Sequence, residues 1–343
     1  VPSRSRTGRR LGAVVAFLAA AVAVAVVVAV SLHARLPFGL SGARSNATAH
    51  RRTHRSTTST RSSATNTLSV SDLGSLSAAA ARVAAVPYGT AGALFLGGYD
   101  SAGAATDTVE NFQASTVTSA GTLPVPVASA VAAILGGDIY VFGGEGSSAI
   151  YELTANGFEA VGSLPTATAD AAVATVGDTA YVIGGYTGTA ELDSIVAFTP
   201  GSGAQTVATL PLTLRYPAAA SIGGEVYIIG GASAGVVATT IYRFDPQTKT
   251  VTAFSALPRP RERESAATLG GLIYTIGGVD ASGVRSRVIY AISPASGRVR
   301  DAGLLPEALA DTVAVSSDGQ IIVAGGTGSD LKPVDTVYAL VAS

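Results

Sequence analysis

The chain has 343 residues, 48% of them hydrophobic and only 13% charged, with 40 glycines and no cysteine. The missing cysteine excludes disulfides, thiol nucleophiles and thiolate metal sites, and the lack of a strict Gly-X-Y period excludes collagen. A net charge of −1 conceals ten arginines and no acid in residues 1–66, which leaves twelve basic against 23 acidic side chains in the remainder, a formal −11; nucleic acid is therefore not the expected partner of the larger part.

In chain order, residues 1–10 form a short basic tail containing Arg4, Arg6, Arg9 and Arg10. Leu11 to Leu32 is a run of 22 residues without charge. As a helix it reaches about 33 Å, enough for a hydrocarbon core of ~30 Å. It reads as an uncleaved single-pass signal anchor, since the apolar part of a cleaved secretion signal is shorter, about 7–15 residues. The competing reading is a cleaved signal with Ala29-Val30-Ser31 at the cut. The tighter arginine cluster before the span, against Arg35, Arg44, Arg51 and Arg52 after it, places the N-terminus inside and the rest outside the cell membrane. Residues 33–66, rich in Ser, Thr and Arg, show no apolar periodicity and read as a linker or stalk. All three histidines (His33, His50, His54) also precede residue 67, so the larger part lacks both His and Cys.

From residue 67 onward the chain repeats. Double glycines recur at Gly97-Gly98, Gly143-Gly144, Gly184-Gly185, Gly230-Gly231, Gly277-Gly278 and Gly325-Gly326, at intervals of 46, 41, 46, 47 and 48 residues. Roughly 40–50 residues accommodate four short strands and their turns. An apolar, β-branched or aromatic strand precedes each doublet, as in Ile139-Tyr140-Val141-Phe142 and Val226-Tyr227-Ile228-Ile229. This is the pattern of a strand packed on both faces. A variable polar loop follows, then a strand ending near Phe112, Phe198, Phe244 or Ile292, a turn, and a last strand running into Leu-Pro (Leu123-Pro124, Leu164-Pro165, Leu210-Pro211, Leu257-Pro258, Leu305-Pro306). The final copy stops short of its fourth strand. Leu68-Ser69-Val70-Ser71-Asp72-Leu73 alternates like an edge strand and is expected to supply it, joining the first and last sheets.

Hydrophobic strand–Gly-Gly, then aromatic-Asp-Pro (Phe244-Asp245-Pro246), then Leu-Pro resembles the kelch repeat over residues 67–343. The resemblance implies an all-β fold, a six-bladed kelch-type β-propeller. The family's usual tryptophan in the fourth strand is absent throughout. Val117, Phe158, Val251 and Val299 stand near its place, so packing there is expected to be lighter.

The family contains binding modules, a copper-radical sugar oxidase and a sialic-acid mutarotase. The oxidase needs a Tyr–Cys thioether and His ligands, neither available after residue 66. No carboxylate spacing singles out a catalytic pair, and no calcium-loop array of oxygen ligands occurs. No metal or cofactor is expected.

The most distinctive polar stretch is Arg259-Pro260-Arg261-Glu262-Arg263-Glu264. In kelch modules that bind acidic ligands, this connection and the loop after the doublet line one mouth of the central channel. Counting 14 residues back from each first glycine gives Val83, Ser129, Asp170, Tyr216, Arg263 and Asp311. The loops add Tyr99, Asp100, Glu145, Tyr186 and Asp280, and Arg261 and Arg215 flank the set. Nine of the twelve basic residues after 66 fall between 243 and 300, including Arg285 and Arg287. That suggests a basic sector able to seat a carboxylate or acidic peptide, or else exposed Arg–Glu pairs of little energetic weight. Arg263 and Arg215 are expected to be exposed, their replacement by Ala changing folding by no more than ~0.5 kcal/mol.

The expectation is a membrane-anchored, extracytoplasmic, bacterial-type and monomeric recognition module. It would bind an extracellular protein or glycan, including anionic ones, through a propeller face and without catalysis. The alternatives are a carbohydrate-active enzyme of the sialic-acid mutarotase or epimerase kind, and a purely architectural spacer.

Overall fold

The structure, a computed structural model, describes residues 67–343. The expected basic tail, membrane helix and linker lie outside the described residues; among those described, no helix is long and apolar enough to cross a membrane.

Every apolar run ending in a double glycine forms the second strand of a four-stranded antiparallel sheet, and there are six such sheets among the described residues. Blade 1 comprises β2 (Ala84–Pro87), β3 (Ala93–Leu96), β4 (Thr108–Gln113) and β5 (Thr116–Thr122). Blade 2 comprises β6 (Val131–Leu135), β7 (Asp138–Phe142), β8 (Ala149–Thr154) and β9 (Gly157–Ser163). Blade 3 comprises β10 (Ala172–Val176), β11 (Thr179–Ile183), β12 (Ser194–Thr199) and β13 (Gly203–Thr209). Blade 4 comprises β14 (Ala218–Ile222), β15 (Glu225–Ile229), β18 (Thr240–Asp245) and β19 (Thr250–Ala256), with a small hairpin of β16 (Ala232–Ser233) and β17 (Val236–Val237) set between its second and third strands. Blade 5 comprises β20 (Glu262–Leu269), β21 (Leu272–Val279), β22 (Ser286–Ile292) and β23 (Val299–Leu309). Blade 6 takes β24 (Val313–Ser317), β25 (Gln320–Ala324) and β26 (Val334–Ala342) from the C-terminus and β1 (Leu68–Ala80) from the other end of the described chain.

β1 pairs antiparallel with β26, from Leu68 opposite Ala342 to Ala80 opposite Val334. The expected outer strand is thus real, and it runs seven residues past Leu73. The innermost strands β2, β6, β10, β14, β20 and β24 each contact the next, and β24 returns to β2. The result is a closed six-bladed propeller.

Six clusters of buried apolar side chains fill the six seams between adjacent blades. At the seam of blades 2 and 3, for example, Tyr140, Phe142 and Phe198 pack ring against ring at 5.3–5.4 Å from Phe198. Alternation along each strand sends successive side chains to opposite seams, so strands apolar on both faces are needed. Where tryptophan is missing, Phe158 and the partly buried Val117, Val251 and Val299 pack against the clusters.

The doublets are glycine for a stereochemical reason. Gly184 has φ +60° and Gly185 φ +110°, and a Cβ on Gly184 would collide with the carbonyl of Leu214 from the next blade. The same carbonyl accepts a hydrogen bond from Gly185 N–H at 2.8 Å. A seam this close admits no side chain.

Candidate functional site

The site is built on a ring of backbone. Just before the inner strand of each blade one non-glycine residue adopts a left-handed conformation: Arg82 (φ 52°), Ser129 (58°), Asp170 (54°), Tyr216 (57°), Arg263 (58°) and Asp311 (56°). Positive φ is uncommon outside glycine and costs on the order of 1 kcal/mol per residue. Each of these residues donates its N–H to the carbonyl of its counterpart in the preceding blade: Ser129 to Arg82, Asp170 to Ser129, Tyr216 to Asp170, Arg263 to Tyr216, Asp311 to Arg263, and Arg82 back to Asp311, at 2.9–3.2 Å. The six bonds close a circle around the channel mouth.

Five of the six expected ring positions are therefore correct, and the sixth is not. Val83 belongs to the wall below; Arg82 occupies the ring. The reason is local. In blade 2 two residues, 136–137, connect the inner strands, whereas in blade 1 residues 88–92 do so, which lengthens the count from ring to doublet by one. A second ring arginine follows, so Arg263 does not stand alone.

The ring side chains form one electrostatic network. Asp170 accepts from Arg215 Nε at 2.8 Å and Nη2 at 2.6 Å, and from Arg82 Nη1 at 3.3 Å. Asp311 Oδ1 accepts from Arg82 Nε at 3.1 Å and Arg263 Nη1 at 3.0 Å, while Oδ2 accepts from the Thr327 hydroxyl at 3.1 Å. Tyr216 is packed by guanidiniums: Arg263 lies 3.6 Å, Arg215 4.4 Å and Arg82 5.2 Å from its ring centroid. Arg215 also lies 3.9 Å from the ring centroid of Tyr186, and Arg82 5.8 Å from that of Tyr99. Burial opposes the charge of Arg82, but Asp311 and Asp170 outweigh it and hold its pKa above the ordinary arginine value. Burial raises the Tyr216 phenol, helped by Asp170 and opposed by the three arginines.

Depth decides what a ligand meets. The Asp170 and Asp311 side chains are 1% and 7% exposed, whereas Arg82, Arg215 and Arg263 retain 22%, 27% and 22%. Carboxylates lie beneath and guanidinium edges face out. Nη2 of Arg82, Nη1 of Arg215 and Nη2 of Arg263 have no hydrogen-bond partner among the described residues. Arg82 and Arg263 border a cleft of about 100 Å³, beneath which the bore widens to about 360 Å³ between the mostly small side chains of the inner strands.

Several expectations are corrected here. Arg263 and Arg215 are partly buried and paired, not freely exposed, so their replacement by Ala disturbs the fold as well as any ligand. Arg261 does not face the mouth: it is buried, and its carbonyl receives Gly231 N–H at 2.8 Å. The basic sector is not one surface. Arg285 binds Thr327 and Arg287 donates to the Leu305 carbonyl, and two of the three mouth arginines come from outside 243–300. Asp280 spends Oδ1 on Ser282 and Val284 of its own loop. Glu145 is exposed beside Tyr99, whose phenol is raised by burial and then by that carboxylate. Ser129 is buried and receives Arg82 Nη1 at 3.4 Å.

Sequence reasoning also missed a buried polar cluster. Arg261 Nε, both carboxyl oxygens of Glu264 and the Thr275 hydroxyl are buried without a hydrogen-bond partner. Thr275 and Arg261 lie close enough to Glu264 to favour its ionised form weakly, but neither completes a bond to it. Burial dominates and pushes the carboxyl up to about 8. The positions matching Glu264 hold Val83, Ala130, Ala171, Pro217 and Thr312. Those matching Arg261 hold Ala80, Val127, Thr168, Leu214 and Leu309, and those matching Thr275 hold Phe95, Val141, Val182, Ile228 and Val323. Aligning the six repeats column by column would have found the cluster. Among the described residues, no group of three or more His, Cys, Asp or Glu is placed to hold a metal ion.

These features define a six-bladed β-propeller with an arginine- and tyrosine-lined mouth. The family model described as the KLHDC2/KLHL20/DRC7 Kelch-repeats domain matches residues 83–278. The chain belongs to the kelch-repeat family. No curated protein matches it. Among solved structures, the one described as "Structure of YjhT" superposes with a TM-score of 0.67 at 14% identity, over 77% of this chain and 95% of that one. This likeness shows a shared fold.

Proposed function

We propose that this propeller is a recognition module, held at the outer face of a cell membrane by residues 11–32, whose mouth binds carboxylate-bearing protein or glycan ligands without catalysis. The observation that carries the reading is the layering of charge. Two buried aspartates and three tyrosines fix three guanidiniums, and one Nη of each is left to donate. Planar donors held in advance lose little freedom on binding, which favours carboxylate recognition. Acid–base catalysis on a sugar has less support, because Asp170 and Asp311 are both engaged by guanidiniums and the carboxyl oxygens of Glu264 are buried.

The test begins with a glycan array of acidic and neutral glycans and a pull-down of surface proteins using the whole chain. With a ligand in hand, Arg263→Ala is expected to weaken binding roughly ten- to a hundredfold, the worth of one charge-assisted contact. Because Asp311 loses a partner, the same variant is expected to lose about 1–3 kcal/mol of stability. Folded Arg82→Ala and Arg263→Ala proteins that both bind like the parent would refute the mouth as the site.

A further inference from the structure

One seam of the propeller is built differently from the others. Between blades 4 and 5, the Arg261 carbonyl receives Gly231 N–H at 2.8 Å and the Glu264 carboxyl lies against Gly230. Thr275 shares a strand face with Ile273, which belongs to the apolar cluster of the same seam. Arg261, Glu264 and Thr275 are 5%, 6% and 1% exposed. The matching columns of the other five blades hold no charged side chain. Where those columns carry a hydroxyl, it has a partner: Thr168 donates to the Thr166 carbonyl at 3.0 Å, and Thr312 pairs with the Ser265 hydroxyl at 2.9 Å. Arg261 Nε, both Glu264 carboxyl oxygens and the Thr275 hydroxyl, by contrast, have no partner among the described residues.

Each of these polar residues alone would only cost stability, since a buried donor or acceptor left unmet keeps its full desolvation penalty. Their joint appearance at three separate columns of one seam marks a single site. Arg261 and Thr275 both lie close enough to act on the Glu264 carboxyl. The chemistry of the set then selects the ligand. Arg261 Nε–H only donates, the hydroxyl donates and accepts, and a neutral carboxyl does both. An anion would need donors alone. A cation would need acceptors alone and would meet the guanidinium charge. Water matches a mixed set, and buried waters characteristically make about three hydrogen bonds to groups of this kind.

We propose that the seam of blades 4 and 5 is a binding site for one structural water molecule, held between Arg261 Nε, the Glu264 carboxyl and the Thr275 hydroxyl. A single water satisfies all four atoms. It accepts from Arg261 Nε–H and from the carboxyl O–H, and it donates to Thr275 Oγ1. The Thr275 hydroxyl in turn donates to the second carboxyl oxygen. No proton and no lone pair of the set that needs a partner is then left without one. The site is independent of the mouth, because none of its three side chains belongs to the guanidinium–aspartate network of the ring.

The test is a crystal structure of the full chain at a resolution that shows ordered water, together with a triple variant. Arg261→Leu, Glu264→Ala and Thr275→Val give this seam the residues that other blades use at the same columns, as in Leu214, Ala130 and Val141. Apolar replacement of a whole buried charged set is generally compatible with folding, unlike removal of one member. The parent is expected to show one peak of density at about 2.6–3.2 Å from Arg261 Nε, a Glu264 carboxyl oxygen and the Thr275 hydroxyl. The variant is expected to show none there. In solution, the count of long-lived internal waters from oxygen-17 relaxation should fall by one in the variant. A direct Arg261–Glu264 bond with no density between them overturns the inference, as does an equal water count in the parent and the folded variant. If the variant does not fold, the density in the parent decides alone.

Discussion

Glu264 sits where five other blades place Val, Ala, Ala, Pro and Thr, wedged against Gly230 of the preceding blade and Gly278 of its own. An unpartnered ionised carboxyl there would be very costly, so the group keeps its proton. Its pKa is raised from 4.5 to about 8. The sign follows from linkage: the folded state binds a proton that the unfolded state releases, so the favourable contribution is complete below pH 4.5 and is lost as pH rises to about 8. Since each pH unit is worth about 1.4 kcal/mol, the loss is on the order of a few kcal/mol. Glu264→Gln keeps the shape without the titration and is expected to flatten the melting temperature between pH 5 and 8.5. It should be the more stable protein at the upper end. Thermal melts of both proteins across that range check this, and parallel curves would show that Glu264 is ionised in the fold. The effect was not legible in the residue alone, because an Arg-Glu-Arg-Glu run ordinarily reads as a solvated face. Only the position within the repeat shows that one glutamate of the run points inward.

At the scale of elements, the double glycines were legible because they answer a stereochemical demand: positive φ and a neighbouring carbonyl too near for a Cβ. The strands before them were legible because packing between two blades leaves no polar face. Arg82 was not legible by counting, since the hairpin of residues 88–92 in blade 1 displaces the register by one. The mouth pairings were also hidden, because Asp170, Arg215 and Arg82 lie on different blades and no sequence spacing relates them. The outer strand was the most consequential element to read. β1 contributes Leu68 and Leu76 to the core beside its ladder with β26. Without it β26 becomes an open edge, free to pair with another chain. A fragment starting at Ser77 is expected to melt about 10 °C below one starting at Thr67, given roughly 2–4 °C per kcal/mol for a domain of this size, and to aggregate on heating. Coincident melts would mean that closure of the ring owes nothing to β1.

For the molecule as a whole, charge is segregated twice: ten arginines and no acid before residue 67, and an acidic propeller after it. The propeller has apolar seams between all its blades and both chain ends of the described part joined in one sheet, and the sequence before it contains Arg44, Arg51, Arg52, Arg55 and Arg61, each a residue after which trypsin cuts. On the proposal that the 22-residue uncharged run is an uncleaved anchor whose arginine-rich N-terminal flank stays inside, the residues after it lie outside. Trypsin added to intact cells is then expected to release the propeller whole, with a new N-terminus at or near Ser62, and to leave a short membrane-held stub. Folded β-sheet should resist the same treatment, because cleavage needs a locally opened backbone. A propeller fully protected in intact cells and digested only after lysis would reverse the orientation. A propeller recovered from the medium without protease would mean instead that Leu11 to Leu32 is a signal removed on export, and the module would then act at a distance from the cell that made it.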